Sequence, residues 1–523
     1  MFKLSEPEVD NAFEAINHHG YSAMLPEPVE WIDIQSKWKD VRDFVKELDL
    51  DNYEPYKPMR IFAPKNRANI RIVHLLHPQD LIIYTALVLI IKDDIEAQRL
   101  SKKTQRVFSY RVDTLRMDRL YDTRGTYDSY LNQLKKKAEK PSTKFVGIAD
   151  IADFYPRIYQ HRLENVLQAV ATNQRGVDVA RVLVRKLISN LMERNSYGIP
   201  VGPYASRTLA EALLIDVDSY LYSRNIDCVR WVDDYNIFCK SEYEVQSSLF
   251  YLGEWLFSNH GLTLQSSKTK ILPVDTYINE ILAKPDESLR DRDAAVSLLK
   301  NFHASYQDEE DLEEDWEEEE VQNILRQLQS FDLLKMLQKS IYDTALVDYE
   351  VVNYVLTRLP RIPGIPEKLK HEVLDLVIEN AELLYPVSEQ IAKYIVSFSD
   401  LSKFEKKTIA KKLLSPLSSR NPPPTYYAMW MLYVFSTSED WNHVKDILKI
   451  YQSSTSEVVR RYAALAIAKG GTRADALVIK NDLGAASDLL KLAILAASQK
   501  LGKDERKHWK LSHQISGCIE KII

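Results

Sequence analysis

The chain has 523 residues, 45% hydrophobic and 28% charged, the balance of a soluble globular protein of roughly two to four domains. Its three cysteines, Cys228, Cys239 and Cys518, form no CxxC pair, which argues against a structural zinc site; few cysteines and no secretory leader point to a reducing cytoplasm. The net charge of −6 argues at first against nucleic acid, but 11 of the 13 residues 308–320 (DEEDLEEDWEEEE) are acidic, and the remainder carries +5 (69 basic against 64 acidic). Such a run reads as a solvated loop or exposed helix.

In chain order, residues 1–60 read as an N-terminal extension, helical and then interrupted by Pro26, Pro28, Pro55 and Pro58. The apolar stretch Leu81 to Ile91 (LIIYTALVLII) is too short to span a bilayer and reads as a buried helix, so no membrane is expected as a partner. KFVGIADIADFYPRI, from Lys144, reads as a strand over Phe145 to Ile148 that ends at Asp150 and turns into a helix. YGIPVGPYASRTLAEALL, from Tyr197, is a rigid Gly/Pro loop followed by a helix from about Ala205; Gly198 and Gly202 allow backbone to approach a base or sugar closely. CVRWVDDYNIFC (228–239) reads as a β-hairpin with Asp233-Asp234 at its tip. GLTLQSSKTKIL (261–272) places Lys268 between a turn and a strand. After the 281–320 linker with its acidic run, residues 321–523 show helix-period segments with few strand signals. There SEVVRRYAALAIAKGG (456–471) and SDLLKLAILAASQKLG (487–502) match at an offset of 31, as stacked helical repeats do.

Adjacent ionised carboxylates repel, and Asp-Asp lacks the glycine that a tight hairpin prefers. A pair so placed asks for a divalent metal. Phosphoryl transfer from a nucleoside triphosphate uses such metals, and Mg²⁺ needs only a few carboxylates beside water and phosphate. A lysine near departing pyrophosphate offsets charge or donates a proton.

Taken in order, these elements resemble the polymerase core of reverse transcriptases. Asp150-Ile-Ala-Asp-Phe-Tyr155, GIPVGP with Ser206, Arg230-Trp-Val-Asp-Asp-Tyr235 and GLTLQSSKTKI are similar to motifs A to D. The resemblance implies an α+β fold: a right-hand polymerase core (fingers and palm) over 61–280, followed by an all-α helical domain. It implies catalytic Asp150, Asp233 and Asp234, a metal shell of Asp150, Ile151, Asp233 and Asp234, and two Mg²⁺ ions for which Mn²⁺ can substitute. It also implies nucleotide contacts from Lys65, Arg71, Tyr155, Gly202 and Lys268, with Arg67 able to replace Lys65 or Arg71, and Tyr155 as the steric gate against a ribose 2′-OH.

Motif B departs from the usual pattern, with Ser206-Arg207…Glu211 in place of glutamine and asparagine. One helical turn apart, Arg207 and Glu211 could pair or could narrow the template path. With the helical second half, and more weakly FSYR (108–111) and LGKDERKHW (501–509), the chain resembles the abortive-infection polymerases of bacterial anti-phage defence. Those join the core to a HEAT-like domain, form homo-oligomers, and extend dNTPs without a template from a protein tyrosine, leaving single-stranded DNA covalently attached. The resemblance implies a priming tyrosine here. Tyr21 is the leading candidate, with Tyr53 and Tyr56 as alternatives. A template-copying RNA-directed DNA polymerase of a retron-like element is the other reading.

Overall fold

In a computed structural model, the chain is described at all residues but 66–68, 123–125, 283–332, 344–345, 362–363, 442 and 516. The acidic run and most of the expected linker lie outside the described residues, as does Arg67.

The N-terminal extension opens with α1 (Glu6–His19), started by a capping box in which Ser5 and Glu8 satisfy each other's backbone groups. An antiparallel hairpin follows, β1 (Met59–Pro64) paired with β2 (Ile70–Leu75). Helix α2 (Pro78–Gln98) contains the apolar stretch singled out in the sequence. It begins with a His77 cap and a proline that needs no N–H, and it is buried on nearly every side.

The central sheet has four antiparallel strands in the order β4–β5–β3–β6: β3 (Phe145–Asp150), β4 (Cys228–Trp231), β5 (Asp234–Cys239) and β6 (Lys270–Pro273). Between β3 and β4 lies α3 (Ala205–Leu213), and after β5 comes α4 (Glu242–His260). Helix α4 packs so closely under β3 that a Cβ on Gly147 would lie 2.5 Å from Val245 Cγ1. The β4–β5 pairing corrects one expectation. Trp231 pairs with Asp234, so the two-residue tip is Val232-Asp233 and Asp234 already belongs to β5. The missing glycine is replaced by Val232 itself in the left-handed region at φ +51°.

Among the described residues of the second half every regular element is a helix, and the helices build two rows. Helices α5 (Tyr349–Arg358), α6 (Ser388–Val396), α7 (Thr425–Thr437), α8 (Glu457–Gly470) and α9 (Asp488–Ala497) pack one against the next. Leu333–Gln338, Glu367–Glu379 and Lys403–Leu414 form a second row beside them. The 31-residue repeat has a direct physical meaning: Ser456 and Ser487 are the N-cap residues of α8 and α9, neighbours in the row.

The halves are packed together. Helix α7, almost wholly buried, rests on β1. Arg461 on α8 forms a fully buried ion pair with Glu30 of the N-terminal extension. Among the described residues no helix is long and apolar enough to cross a membrane.

Candidate active site

The register of the central sheet builds the site. Asp150, last residue of β3, pairs with Asp234, first residue of β5, and the Ile151 N–H donates to the Asp233 carbonyl at 3.1 Å. Carboxylate oxygens of Asp150, Asp233 and Asp234 therefore lie within 4.8 Å of one another. Burial, with repulsion from Asp150, raises the Asp233 carboxyl to about 6. Burial, with repulsion from Asp233 and Asp150, raises Asp234 to about 7. Three hard oxygen donors made costly by their own repulsion fit a divalent cation, which supplies the missing positive charge. Ile151 has a buried apolar side chain, so only its backbone carbonyl is available to such an ion.

Lys268 is held to this cluster. The Gln265 N–H donates to the Asp150 carbonyl at 2.7 Å, the loop turns, and Lys268 Nζ lies 3.0 Å from Asp150 Oδ1. Partial burial works to lower the Lys268 ammonium; the hydrogen bond and charge of Asp150 outweigh it and raise the group.

The remaining expected residues are placed unevenly. Arg71 is exposed on β2, with Nη1 3.6 Å from Met24 Sδ, and its charge acts on Asp233. Tyr155 is half-buried; burial raises its hydroxyl well above 10, Tyr110 and Asp233 add to the rise, and the charge of Arg207 opposes it. The Gly/Pro loop lies on β2 like an extra strand, His74 N–H donating to Val201 O at 2.8 Å and Val201 N–H to His74 Nδ1 at 3.2 Å. Gly202 closes that contact at φ +119°, where a Cβ would stand 3.0 Å from Ser22 Oγ and Val73 Cγ1. Lys65 sits exposed at the β1–β2 turn, its N–H donating to Asn69 O at 2.9 Å.

Tyr21 lies in the loop that follows α1, but its side chain turns inward. It is buried, and its hydroxyl donates to Leu76 O at 2.7 Å; burial foremost raises its pKa well above 10. Tyr53 is held as firmly, its hydroxyl 2.6 Å from Asp80 Oδ1, and Tyr56 stacks on His77 with ring centroids 3.8 Å apart. Among the described residues no contact joins Lys65 or these three tyrosines to the carboxylates.

A second layer lies behind the carboxylates, and sequence reading missed its connections. Arg230 Nε and Nη2 grip Asp218 at 2.8 and 2.6 Å, its Nη1 and Nη2 reach Glu211 at 3.2 and 2.9 Å, and Nη1 donates to Val232 O at 2.7 Å. Arg99 meets Glu211 from the other side at 2.6 Å. Ser109 Oγ donates to Glu211 at 2.5 Å and accepts the Val232 N–H at 2.9 Å. Both backbone groups of the strained Val232 are thus held by this buried cluster. Burial works to raise the Glu211 carboxyl; Arg230 and Arg99 outweigh it and hold the group below its usual range. Of the two alternatives left open for Arg207 and Glu211, pairing is not the one found: Glu211 is held by Arg230 and Arg99. Arg207 lies over the rings of Tyr204 and Tyr110 at 4.6 and 4.9 Å and donates to the Tyr121 hydroxyl at 2.9 Å.

Residues 63–290 match the family model for the reverse transcriptase (RNA-dependent DNA polymerase). The chain is also similar, at 11% identity, to two solved structures. One is telomerase from Candida albicans in complex with a TWJ fragment of telomeric RNA (83% of this chain, 70% of that chain, TM-score 0.31). The other is apo telomerase from Candida tropicalis (84%, 73%, TM-score 0.34). No curated protein matches. With its ordered carboxylates and this match, the chain carries a nucleotidyl-transferring polymerase domain of the reverse-transcriptase type.

Proposed function

We propose that the chain is a DNA polymerase that adds dNTPs without a template, primed by one of its own tyrosines, and that it acts as a homo-oligomer in cytoplasmic abortive-infection defence against phage. The observation that carries the chemistry is the triad Asp150, Asp233 and Asp234 with Lys268 on its rim. Two Mg²⁺ ions, or Mn²⁺ in their place, supply an activated hydroxyl and neutralise charge at the leaving pyrophosphate when bound. Asp150 and Asp233 would hold the ions, Asp234 would support them, and Ile151 would offer its carbonyl. Lys268, kept protonated beside Asp150, gives a proton to the leaving group. Arg71 and Lys65 grip the triphosphate, Gly202 lets the loop approach the nucleotide, and the Tyr155 ring excludes a 2′-hydroxyl.

The untemplated mode rests on the resemblance and on Arg207, whose guanidinium lies among Tyr204, Tyr110 and Tyr121 at the start of α3. The defence role and the HEAT-like nature of the helical half rest on the resemblance, supported by the two-row helical packing. For Tyr21 to prime, its segment must leave the core and break the bond to Leu76. A template-copying RNA-directed DNA polymerase is the second reading, favoured by the family match over residues 63–290.

The test incubates purified protein with each labelled dNTP and Mg²⁺, without template or primer, beside an Asp233→Asn control. An RNase-resistant labelled ladder that migrates with the protein and is absent in the control supports the proposal, and peptide mapping then finds the tyrosine. Labelling only after an annealed RNA template and primer are supplied replaces it with the templated reading.

A further inference from the structure

Helix α4 covers the back of the central sheet with Val245, Leu249, Leu252 and Leu256. Its outward face should be polar, as in an ordinary surface helix. Instead Tyr243, Phe250 and Phe257 stand there 76%, 72% and 66% exposed. They are spaced by seven residues, the repeat that keeps side chains along one seam of a helix paired with another helix. Tyr251, 38% exposed, widens the stripe.

We propose that this stripe is a two-fold interface between copies of the chain, with the two α4 helices antiparallel and Phe250 on the axis. Charge favours protein over nucleic acid as the occupant: α4 carries Glu242, Glu244 and Glu254 and no lysine or arginine, and Arg224, whose guanidinium lies 4.2 Å from the Tyr251 ring, sets one cation against those three acids. The spacing is self-complementary. Phe250 is the midpoint of the stripe, so antiparallel pairing sets Phe250 against Phe250 and Tyr243 against Phe257. The same operation places Glu254 opposite Gln246 and Gly253 opposite Ser247. Those small residues leave room for the rings, since a Cβ on Gly253 would meet only Leu264, at 3.9 Å. The area is sufficient as well. At about 150–250 Å² per aromatic side chain, the four exposed fractions amount to roughly 500 Å² per copy. Two copies reach about 1,000 Å², the level a specific interface needs. An isologous contact of this kind closes on itself as a dimer or as the dimeric unit of a larger assembly.

The test uses the full chain. Sedimentation gives the mass of wild type and of Phe250→Glu, and thermal melting checks that the variant is folded. Phe250→Cys and Tyr243→Cys are then treated separately with a short bifunctional maleimide. The expected result is a folded Phe250→Glu variant of half the wild-type mass, strong self-cross-linking of Phe250→Cys, and none for Tyr243→Cys, whose two copies are separated by about 21 Å along the axis. Mixing Tyr243→Cys with Phe257→Cys restores cross-linking. An unchanged mass for folded Phe250→Glu overturns the interface. Loss of mass without Phe250→Cys self-cross-linking overturns the antiparallel two-fold. If Phe250→Glu unfolds, the cysteine pattern alone decides. None of these readouts depends on polymerase activity.

Discussion

Replacing Arg230 by methionine should loosen the carboxylate hairpin from behind. The wild-type guanidinium is 1% exposed and bonds to Asp218, Glu211 and Val232 O. Methionine preserves much of the volume but leaves Asp218 without its cationic partner and Glu211 with Arg99 alone. Removing one partner from a buried ionic cluster costs about 3–5 kcal/mol, because the abandoned charge stays desolvated. At about 1.4 kcal/mol per decade, amides of β4 and β5 should then exchange with solvent roughly 10²- to 4 × 10³-fold faster. Native-state hydrogen exchange on the 228–239 peptide reads this directly. Nucleotide incorporation should fall in parallel, since Val232 loses the bond that steadies its carbonyl. Adding Asp218→Leu should recover part of the loss, because an apolar replacement of both partners removes the stranded charge. Exchange of Arg230→Met within about 1 kcal/mol of wild type, with activity retained, would refute the dependence of the hairpin on this cluster.

Asp233→Asn should lower nucleotide incorporation by about 10³-fold or more, corresponding to several kcal/mol of lost metal-assisted stabilisation; steady-state rates check this. In chelator, the melting temperature of wild type relative to Asp234→Asn should fall as pH rises from 5 to 8; taking the difference removes the buried histidines His19, His74 and His77, whose lowered pKa values act in the opposite direction. Asp233 and Asp234 are raised to about 6 and 7, so the folded state holds their protons above the unfolded pKa near 4, and that stabilisation is lost as pH passes through the folded values. A divalent cation should cancel this difference; a difference of opposite sign refutes the assignment. Gly202→Val should destabilise by about 1–3 kcal/mol through its φ of +119° and the 3.0 Å contacts with Ser22 and Val73. Urea unfolding measures that loss. Tyr155→Val should leave dNTP use within a few-fold of wild type and raise ribonucleotide incorporation, read by alkali-sensitive product.

The carboxylates were legible because each lies inside a short run whose pattern names its own element: an apolar strand for Asp150, a hairpin for Asp233 and Asp234. Lys268 was legible from its place after a turn. The Arg99–Glu211 and Ser109–Glu211 contacts were not, since they join residues 112 and 102 positions apart and no local period encodes them. The i,i+4 rule suggested Arg207 for Glu211, but a buried carboxylate took two buried guanidiniums while Arg207 took aromatic faces. The burial of Tyr21 was not legible for a related reason. Its neighbours Gly20, Pro26 and Pro28 signal a loop, yet backbone irregularity does not reveal which side chain that loop buries. The hairpin tip shifted by one residue because Val232 adopted a backbone region rarely occupied by a β-branched residue.

The Glu30–Arg461 pair makes the two ends of the chain one inheritable unit. Neither residue touches the carboxylates, and each sits in a different half, yet either one alone is a desolvated charge. A helical half grafted from a relative would bring a cation without its acid, or meet an acid without its cation. Exchange of parts between such polymerases is therefore constrained at a seam far from the chemistry, and the first thirty residues must travel with the last hundred.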